Sequence, residues 1–242
     1  MDILKASVIL NTINEDRNLL SIAIESYLNQ TNVEVELIIS SVEGDINLDF
    51  VRSKYPSCKI VTMPRSEHPI GKGIKEPKGS FMQLNNALKH ITGDWFVFAS
   101  GNDFAYSDKL SMEINSCIET GTEVCYSSYD YVNHLGRRKK AQLFHDYDFK
   151  KHMVGNFVSD CAVVSRRLVD KYLPFKIELN NYAYWDLWLR IYEGEGNVFC
   201  YNKNPTWAYR QEDSSMHLQR KKDQNKINQA KKDRETMLNQ HR

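Results

Sequence analysis

Short apolar runs alternate with an amphipathic helical pattern in the first hundred residues, and this alternation constrains the fold more than any other feature. Residues 6–10 and 33–39 read as strands, and residues 19–28 between them place apolar side chains on one helix face. Further strands are predicted at 59–63 and 95–99. Strand–helix–strand units build parallel sheets whose ligands bind beyond the carboxyl ends of the strands. The sequence therefore predicts an α/β protein with a functional edge.

The second half of the chain is more mixed. We predict helices near 107–119 and 183–193, and strands near 122–129, 137–144, 160–164, 197–201 and 206–210. The last segment, 217–242, is helical in propensity and carries eight Lys or Arg against three Asp or Glu. A chain of 242 residues with ordinary globular composition fits a single domain, 1–242.

Charge and cysteine content narrow the class of protein. The net charge is +1, so no global field recruits nucleic acid or an anionic membrane. The five cysteines form no C-x-x-C pair, which favours neither a zinc cluster nor a disulfide framework. No apolar run reaches the roughly 20 residues of a membrane span, and the chain opens without a signal peptide's apolar region. We expect a cytoplasmic protein, with peripheral membrane contact through the basic C-terminal helix left open.

Several motifs occur in a fixed order along residues 6 to 217. The chain reads SVILNTIN at 7–14 and AIESYLNQT at 23–31, then Asn85 ahead of Gly-Asp-Trp at 93–95, and later DLWLR at 186–190 and WAYR at 207–210. Together these motifs resemble those of family 2 glycosyltransferases of the GT-A fold. The resemblance implies a single Rossmann-like α/β/α sandwich with a mixed, mostly parallel central sheet.

The same resemblance implies the reaction and the division of the chain. Family members of this kind invert the anomeric centre as they move a sugar from a nucleotide diphosphate sugar, here most simply a UDP-sugar, to an acceptor hydroxyl. Residues 1–103 would bind the donor and 104–216 the acceptor, with 217–242 as a separate helix. The acceptor class stays open between a surface polysaccharide, a lipid-linked sugar, a protein and a modified nucleic acid.

A metal site is implied where Ser-Gly-Asn-Asp follows the fourth strand at 100–103, the position of the family's acidic metal motif. Asn102 and Asp103 offer oxygen ligands of the kind that Mn²⁺ or Mg²⁺ prefers, completed by phosphates and water. His217 is a further candidate ligand. The alternative is that these residues only form a turn, which their types favour.

The general base and the donor contacts follow from the same alignment. Asp186 is the candidate base, because Ala183-Tyr184 occupies the usual acidic position; its alternative is a carboxylate stabilised by a helix N-terminus. The candidate donor contacts are Thr12, Asn14, Glu43, Asn85 and Arg210. The alternative for Thr12 and Asn14 is capping of the helix that follows, and the alternative for Glu43 is a solvated loop acid. For Arg210 the alternative is a surface or structural ion pair.

Two other functions compete with sugar transfer. The missing acids at Ser40-Ser41 and Ala183-Tyr184 suit a catalytically degenerate GT-A protein that only binds a nucleotide or a sugar. A nucleotidyltransferase would place glycine and lysine after the first strand, where this chain has residues 11–14, Asn-Thr-Ile-Asn.

Overall fold

A mixed sheet organises the part of the chain that the computed structural model describes, residues 3–72, 78–211 and 224–241. Its strands are β1 (Leu4–Asn11), β2 (Val33–Val42), β3 (Lys59–Met63), β4 (Trp95–Ser100), β5 (Phe104–Ala105), β6 (Val124–Val132), β7 (Arg138–Gln142), β8 (Val163–Ser165) and β9 (Phe199–Arg210). The strand order is β3-β2-β1-β4-β8-β6-β9-β5, and β7 pairs with β6.

Helices connect these strands and cover the sheet. They are α1 (Arg17–Leu28), α2 (Leu48–Lys54), α3 (Lys78–Ala87), α4 (Lys109–Thr120), α5 (Phe149–Val154), α6 (Arg166–Tyr172), α7 (Ala183–Glu195) and α8 (Gln224–Leu238). Short 3-10 turns lie at Pro69–Lys72, Leu88–His90 and Ile177–Tyr182. Within the described ranges no helix combines the length and the apolar character needed to cross a bilayer.

The first four strands are parallel to one another, as predicted. Strand β1 pairs in parallel with both β2 and β4, and β2 pairs in parallel with β3. Beyond them β8 runs antiparallel between β4 and β6. Because two antiparallel steps restore the direction, β4 and β6 point the same way. The mixed α/β architecture is therefore confirmed.

Side chains of the central strands alternate between two cores. Ile9 belongs to one buried cluster, whereas its neighbours Val8 and Leu10 belong to the other. Successive side chains of a strand face opposite sides, so these clusters lie on the two faces of the sheet. Full burial on both faces explains why these strands are continuous apolar runs in the sequence.

Helix ends follow local capping chemistry. The Asp16 carboxylate accepts hydrogen bonds from the backbone N–H groups of Asn18 and Leu19 at the start of α1. Gly121 ends α4 with φ of +67°, a left-handed conformation that glycine adopts without steric cost. The Asp16 cap starts α1 at Arg17, shortly after β1 ends at Asn11.

The second half of the fold differs from the sequence prediction in three features. The strand predicted at 160–164 begins only at Val163, because a turn closed from Ala162 N–H to the Ser159 carbonyl precedes it. The strands predicted at 197–201 and 206–210 form one strand, β9, whose pairing with β6 shifts register at Ser128. The sequence pattern did not predict helices α5 and α6, because six and seven residues are too few to show a helical period.

The C-terminal helix packs on the domain. Met237 and Leu238 of α8 are buried against Leu179, Trp185 and Leu189. Of the predicted segment 217–242, residues 217–223 and residue 242 lie outside the described part of the chain.

Candidate functional site

The carboxyl ends of β1, β2 and β4 meet at one edge of the sheet. Asn11 is in register with both Ser40 and Ser100. The Thr12 N–H donates to the Ser40 carbonyl at 3.0 Å, and the Gly101 N–H donates to the Asn11 carbonyl at 3.0 Å. A side chain at Gly101 would lie 3.1 Å from that of Thr12, so the two loops approach closely.

Thr12 lies at this edge with an unused hydroxyl. Its side chain is buried, and its Oγ1 has no hydrogen-bond partner among the described residues. Gln83 of α3 donates to the Thr12 carbonyl at 3.3 Å and leaves its own Oε1 unpaired. Buried polar atoms are normally paired, so these two atoms mark a place where the fold leaves polar groups unsatisfied. Sequence reasoning missed Gln83, which lies off the predicted apolar stripe of α3 but is buried in the structure.

Asn14 and Asp45 organise the loop that follows β2. Asn14 has φ of +49°; its N–H donates to Asp45 Oδ2 at 3.1 Å, and its Oδ1 accepts from Ile46 N–H at 3.2 Å. Ser41 donates to the same Asp45 oxygen at 2.6 Å. Glu43 is exposed beside them. The structure thus brings Thr12, Asn14 and Glu43 to one side of the predicted donor site.

Asp103 is placed by strand β9. Its Oδ1 accepts the Arg210 N–H at 2.7 Å, whereas its Oδ2 has no partner within the described part of the chain. The side chain is only 9% exposed, and burial raises its pKa to about 7 against the opposing hydrogen bond and charge of Arg210. Asn102 is half-buried beside it, and its Oδ1 accepts from the Ser100 hydroxyl at 2.7 Å.

This arrangement fits a divalent cation. A carboxylate whose pKa is raised by burial carries negative charge that a cation would compensate, and Mg²⁺ or Mn²⁺ often takes only one or two carboxylates with phosphates and water. Among the described residues no group of three or more His, Cys, Asp or Glu is arranged to hold a metal without such help. The candidate ligand His217 lies outside the described residues.

Arg210 donates to backbone carbonyls through two of its nitrogen atoms, and its predicted contact with the diphosphate stays a prediction. Its Nε donates to the Asn102 carbonyl at 2.9 Å, and its Nη1 donates to the Asn133 and His134 carbonyls at 3.0 and 2.6 Å. The side chain is 2% exposed. Arg210 therefore ties the end of β9 to the loops that follow β4 and β6.

Asn85 has a structural role in this fold, and its predicted donor contact stays a prediction. Its Nδ2 donates to the Phe175 carbonyl at 2.9 Å, and its Oδ1 accepts the Phe175 N–H at 2.8 Å. Both ends of the amide are used by one peptide unit. This pair holds α3 against the segment before α7.

Asp186 lies inside an ion-pair cluster, which argues against its predicted role as base. Its carboxylate accepts from Lys176 Nζ at 3.0 Å, Arg190 Nε at 2.6 Å and His241 Nε2 at 3.2 Å, and its side chain is 0% exposed. Burial raises the pKa of Asp186, but hydrogen bonds from His241 and Arg190 outweigh this and hold it at about 2. A buried carboxylate with both oxygens engaged does not meet an acceptor hydroxyl in this conformation.

Aromatic side chains line the sheet near this edge. Tyr184 packs its ring against Phe98 at 5.4 Å, and Tyr129 lies 4.5 Å from Trp207. Trp188 is fully buried, as its helical spacing predicts for a core residue. Partly exposed aromatic rings beside the edge suit the apolar faces of sugars.

The chain is similar in sequence to a known sugar-transferring enzyme. No protein-family profile matches it. It is 23% identical over 204 residues to Escherichia coli WfgD, named UDP-Glc:alpha-D-GlcNAc-diphosphoundecaprenol beta-1,3-glucosyltransferase, and the alignment covers 84% of this chain and 75% of WfgD.

Solved structures show the fold of the chain. S. aureus TarS in complex with UDP-GlcNAc superposes with a TM-score of 0.67 at 15% identity, covering 89% of this chain and 61% of that chain. Glucosyl-3-phosphoglycerate synthase from Mycobacterium tuberculosis, in complex with Mn²⁺, UDP and phosphoglyceric acid, gives a TM-score of 0.56 at 17% identity over 86% of this chain and 72% of its own. The mannosyltransferase PcManGT from Pyrobaculum calidifontis, in complex with GDP-Man and Mn²⁺, gives 0.58 at 16% identity over 89% and 59%.

These similarities confirm the fold prediction and the resemblance behind it. The chain has the GT-A fold, and the class of protein to which it is similar in both sequence and structure is the glycosyltransferases. It spans 61% of the TarS chain.

Proposed function

We propose that this protein is an inverting glycosyltransferase that moves a sugar from a UDP-sugar to a hydroxyl of a glycan or lipid-linked acceptor. The observation that carries the proposal is Asp103, a buried carboxylate in the loop after β4 that contacts the end of β9 and has one oxygen unpaired among the described residues. WfgD is named for a UDP-Glc donor and TarS binds UDP-GlcNAc, which supports UDP as the nucleotide.

Asp103 and Asn102 would hold the divalent cation. When bound, a cation neutralises the charge that develops on the leaving diphosphate. Asp103 offers its Oδ2, and Asn102 offers its Oδ1 once the Ser100 hydroxyl turns away. We keep His217 as a further ligand in this proposal.

The nucleotide would lie over Thr12, Asn14 and Glu43. Thr12 Oγ1 and Gln83 Oε1 are buried and unpaired, so a nucleotide group that donates to the amide oxygen and accepts from the hydroxyl would satisfy both. Glu43, at the exposed end of β2, can accept from a ribose hydroxyl. Residues 1–103 thus form the donor half in this proposal, and 104–216 the acceptor half.

A lipid-linked acceptor would bring the protein to a membrane surface. WfgD is named for a diphosphoundecaprenol-linked acceptor, which motivates this part of the proposal. Lys231 and Lys232 of α8 are exposed and could meet anionic lipid. Binding to vesicles that contain an anionic phospholipid, lost when both are replaced by Ala, would support this peripheral contact; binding unaffected by the replacements would contradict it.

A transfer assay tests the proposed reaction. Purified protein would be incubated with UDP-glucose or UDP-GlcNAc, Mn²⁺ and a GlcNAc-diphospholipid, and both UDP and the extended lipid would be measured. We expect product that disappears with EDTA and in Asp103→Asn, while Asp108→Asn, a change at an exposed carboxylate five positions on, is harmless. Binding of UDP without turnover of either donor would favour the degenerate protein.

A further inference from the structure

Asp160 is an exposed acid that none of the structural contacts above uses. It occupies the corner of the turn from Ser159 to Ala162, which is closed by a 3.2 Å hydrogen bond and leads into β8. Across residues 3–72, 78–211 and 224–241, no hydrogen bond or ion pair involves its carboxyl group. A carboxylate without partners on a defined turn is available for chemistry.

The sheet topology brings this turn to the candidate active site. Strand β8 is antiparallel to both neighbours, with Val164 in register with Phe96 of β4 and with Val124 of β6. Strand β8 pairs with the first two residues of β4 and of β6 and runs antiparallel to both, so the chain that precedes Val163 leads toward the carboxyl ends of these two strands. Asp160 precedes β8 by three residues, so it reaches the same edge as the Ser100–Asp103 loop.

Electrostatic interactions agree with this placement. Burial is the main cause of the raised pKa values of Asp103 after β4, Tyr129 on β6, Tyr184 on α7 and Tyr209 on β9, and the negative charge of Asp160 raises each of them further. Four elements thus converge on one carboxyl group. Although the side chain is exposed, the protein around it desolvates the carboxylate and raises its pKa to about 7. A carboxyl group with a pKa of about 7 suits a base at neutral pH.

We propose that Asp160 is the general base of the sugar transfer, placed by the turn before β8 beside Asp103 and between the ends of β4 and β6. This assignment rests on the proposed glycosyltransferase function. The Asp160 carboxylate takes the proton of the acceptor hydroxyl, whose oxygen forms a bond to the anomeric carbon. The bond from that carbon to the diphosphate oxygen breaks, and UDP leaves with the electron pair.

The assignment differs from the sequence prediction in a testable way. Asp186 is fully buried among three cationic groups, whereas Asp160 is exposed at the edge that carries Asp103. Loss of Asp160 should therefore remove turnover and leave folding and donor binding intact.

Three variants and two readouts test the proposal. Asp160→Asn removes the base with little change of shape, Asp160→Glu keeps a carboxylate, and Asp146→Asn alters another exposed acid, before α5, as a control. Calorimetry with UDP and Mn²⁺ measures donor-site binding. Release of UDP from UDP-glucose or UDP-GlcNAc, with the GlcNAc-diphospholipid or water as acceptor, measures turnover.

We expect Asp160→Asn to bind UDP within about twofold of the unaltered protein and to release UDP about 100-fold more slowly or less, the usual contribution of a general base. Asp160→Glu should recover part of the rate, and Asp146→Asn all of it. Turnover of Asp160→Asn within about threefold of the unaltered protein would overturn the assignment. Loss of Mn²⁺-dependent UDP binding in this variant would also overturn it and make Asp160 a metal ligand instead. Failure of the unaltered protein to bind UDP would instead overturn the proposed function itself.

Discussion

Replacing Asp186 by Asn should destabilise the protein without removing its chemistry. The carboxylate is fully buried and accepts from Lys176, Arg190 and His241 at 3.0, 2.6 and 3.2 Å. Asn removes the negative charge but leaves three donors around it. The cluster joins α7 to the 3-10 turn before it and to the C-terminal end of the chain, so the loss affects three segments at once.

The size of the effect follows from the pKa and from burial. A carboxyl pKa that falls from 3.8 to about 2 corresponds to roughly 2 kcal/mol of stability at neutral pH, at about 1.36 kcal/mol per pKa unit. Breaking a fully buried ion pair costs about 3–5 kcal/mol. Lys176 and Arg190 are 34% and 20% exposed, so solvent screens part of this interaction. We expect Asp186→Asn to lower the free energy of unfolding by about 2–4 kcal/mol.

The pH dependence has a definite sign. Because the folded-state pKa of Asp186 is lowered, its stabilisation is present above pH about 4 and is lost as the pH falls to about 2. The difference between the two proteins should therefore shrink over that range.

Urea denaturation at pH 7 and at pH 3, with turnover measured per folded molecule, checks this reasoning. Asp170→Asn is the matched control, since it removes a surface ion pair with Arg166 and should cost at most about 1 kcal/mol. An Asp186→Asn protein that unfolds at the same urea concentration as the unaltered protein but has lost turnover would refute the structural role and restore Asp186 as the base.

Three further predictions concern other contacts. His241→Gln should destabilise the protein more at pH 6 than at pH 9. Burial lowers the pKa of His241, but Asp186 and Glu193 outweigh it and raise this pKa, so the stabilisation is full below pH about 6.5 and is lost as the pH rises through the higher folded-state pKa. Equal urea midpoint shifts at both pH values would contradict this. Gly93→Ala should lower the free energy of unfolding by at least about 1–3 kcal/mol, since the added carbon would lie 2.6 Å from the Ser7 backbone nitrogen, and an unchanged melting temperature would count against it. Trp188→Ala empties a fully buried site and should cost about 3–5 kcal/mol by urea denaturation, whereas a loss below about 1 kcal/mol would mean that the site is not core.

The first half of the fold could be predicted because its strands are buried on both faces. Nearly continuous apolar runs at 6–10 and 95–99 mark β1 and β4, shorter apolar stretches within 33–39 and 59–63 mark β2 and β3, and the polar residues after these strands mark the functional edge. Asp103 could be placed at that edge for the same reason. Its role as a metal ligand stays a prediction.

The rest of the site depends on contacts between distant parts of the chain, which local pattern does not encode. Asn85 is tied to Phe175 across 90 positions, and Arg210 is tied to Asn102 across 108. An Asn or an Arg with such a tether looks the same in the sequence as one that binds a ligand. Asp160 was predicted inside a strand at 160–164. Strand β8 begins only at Val163, so Asp160 lies instead in the exposed turn before it.

The most direct test of the central claim is a calorimetric titration of the purified protein with UDP, with and without Mn²⁺, repeated on Asp103→Ala. The account predicts binding that requires Mn²⁺ and that is lost in the Asp103 variant. Absence of UDP binding under both conditions, or equal binding by the Asp103 variant, would contradict it.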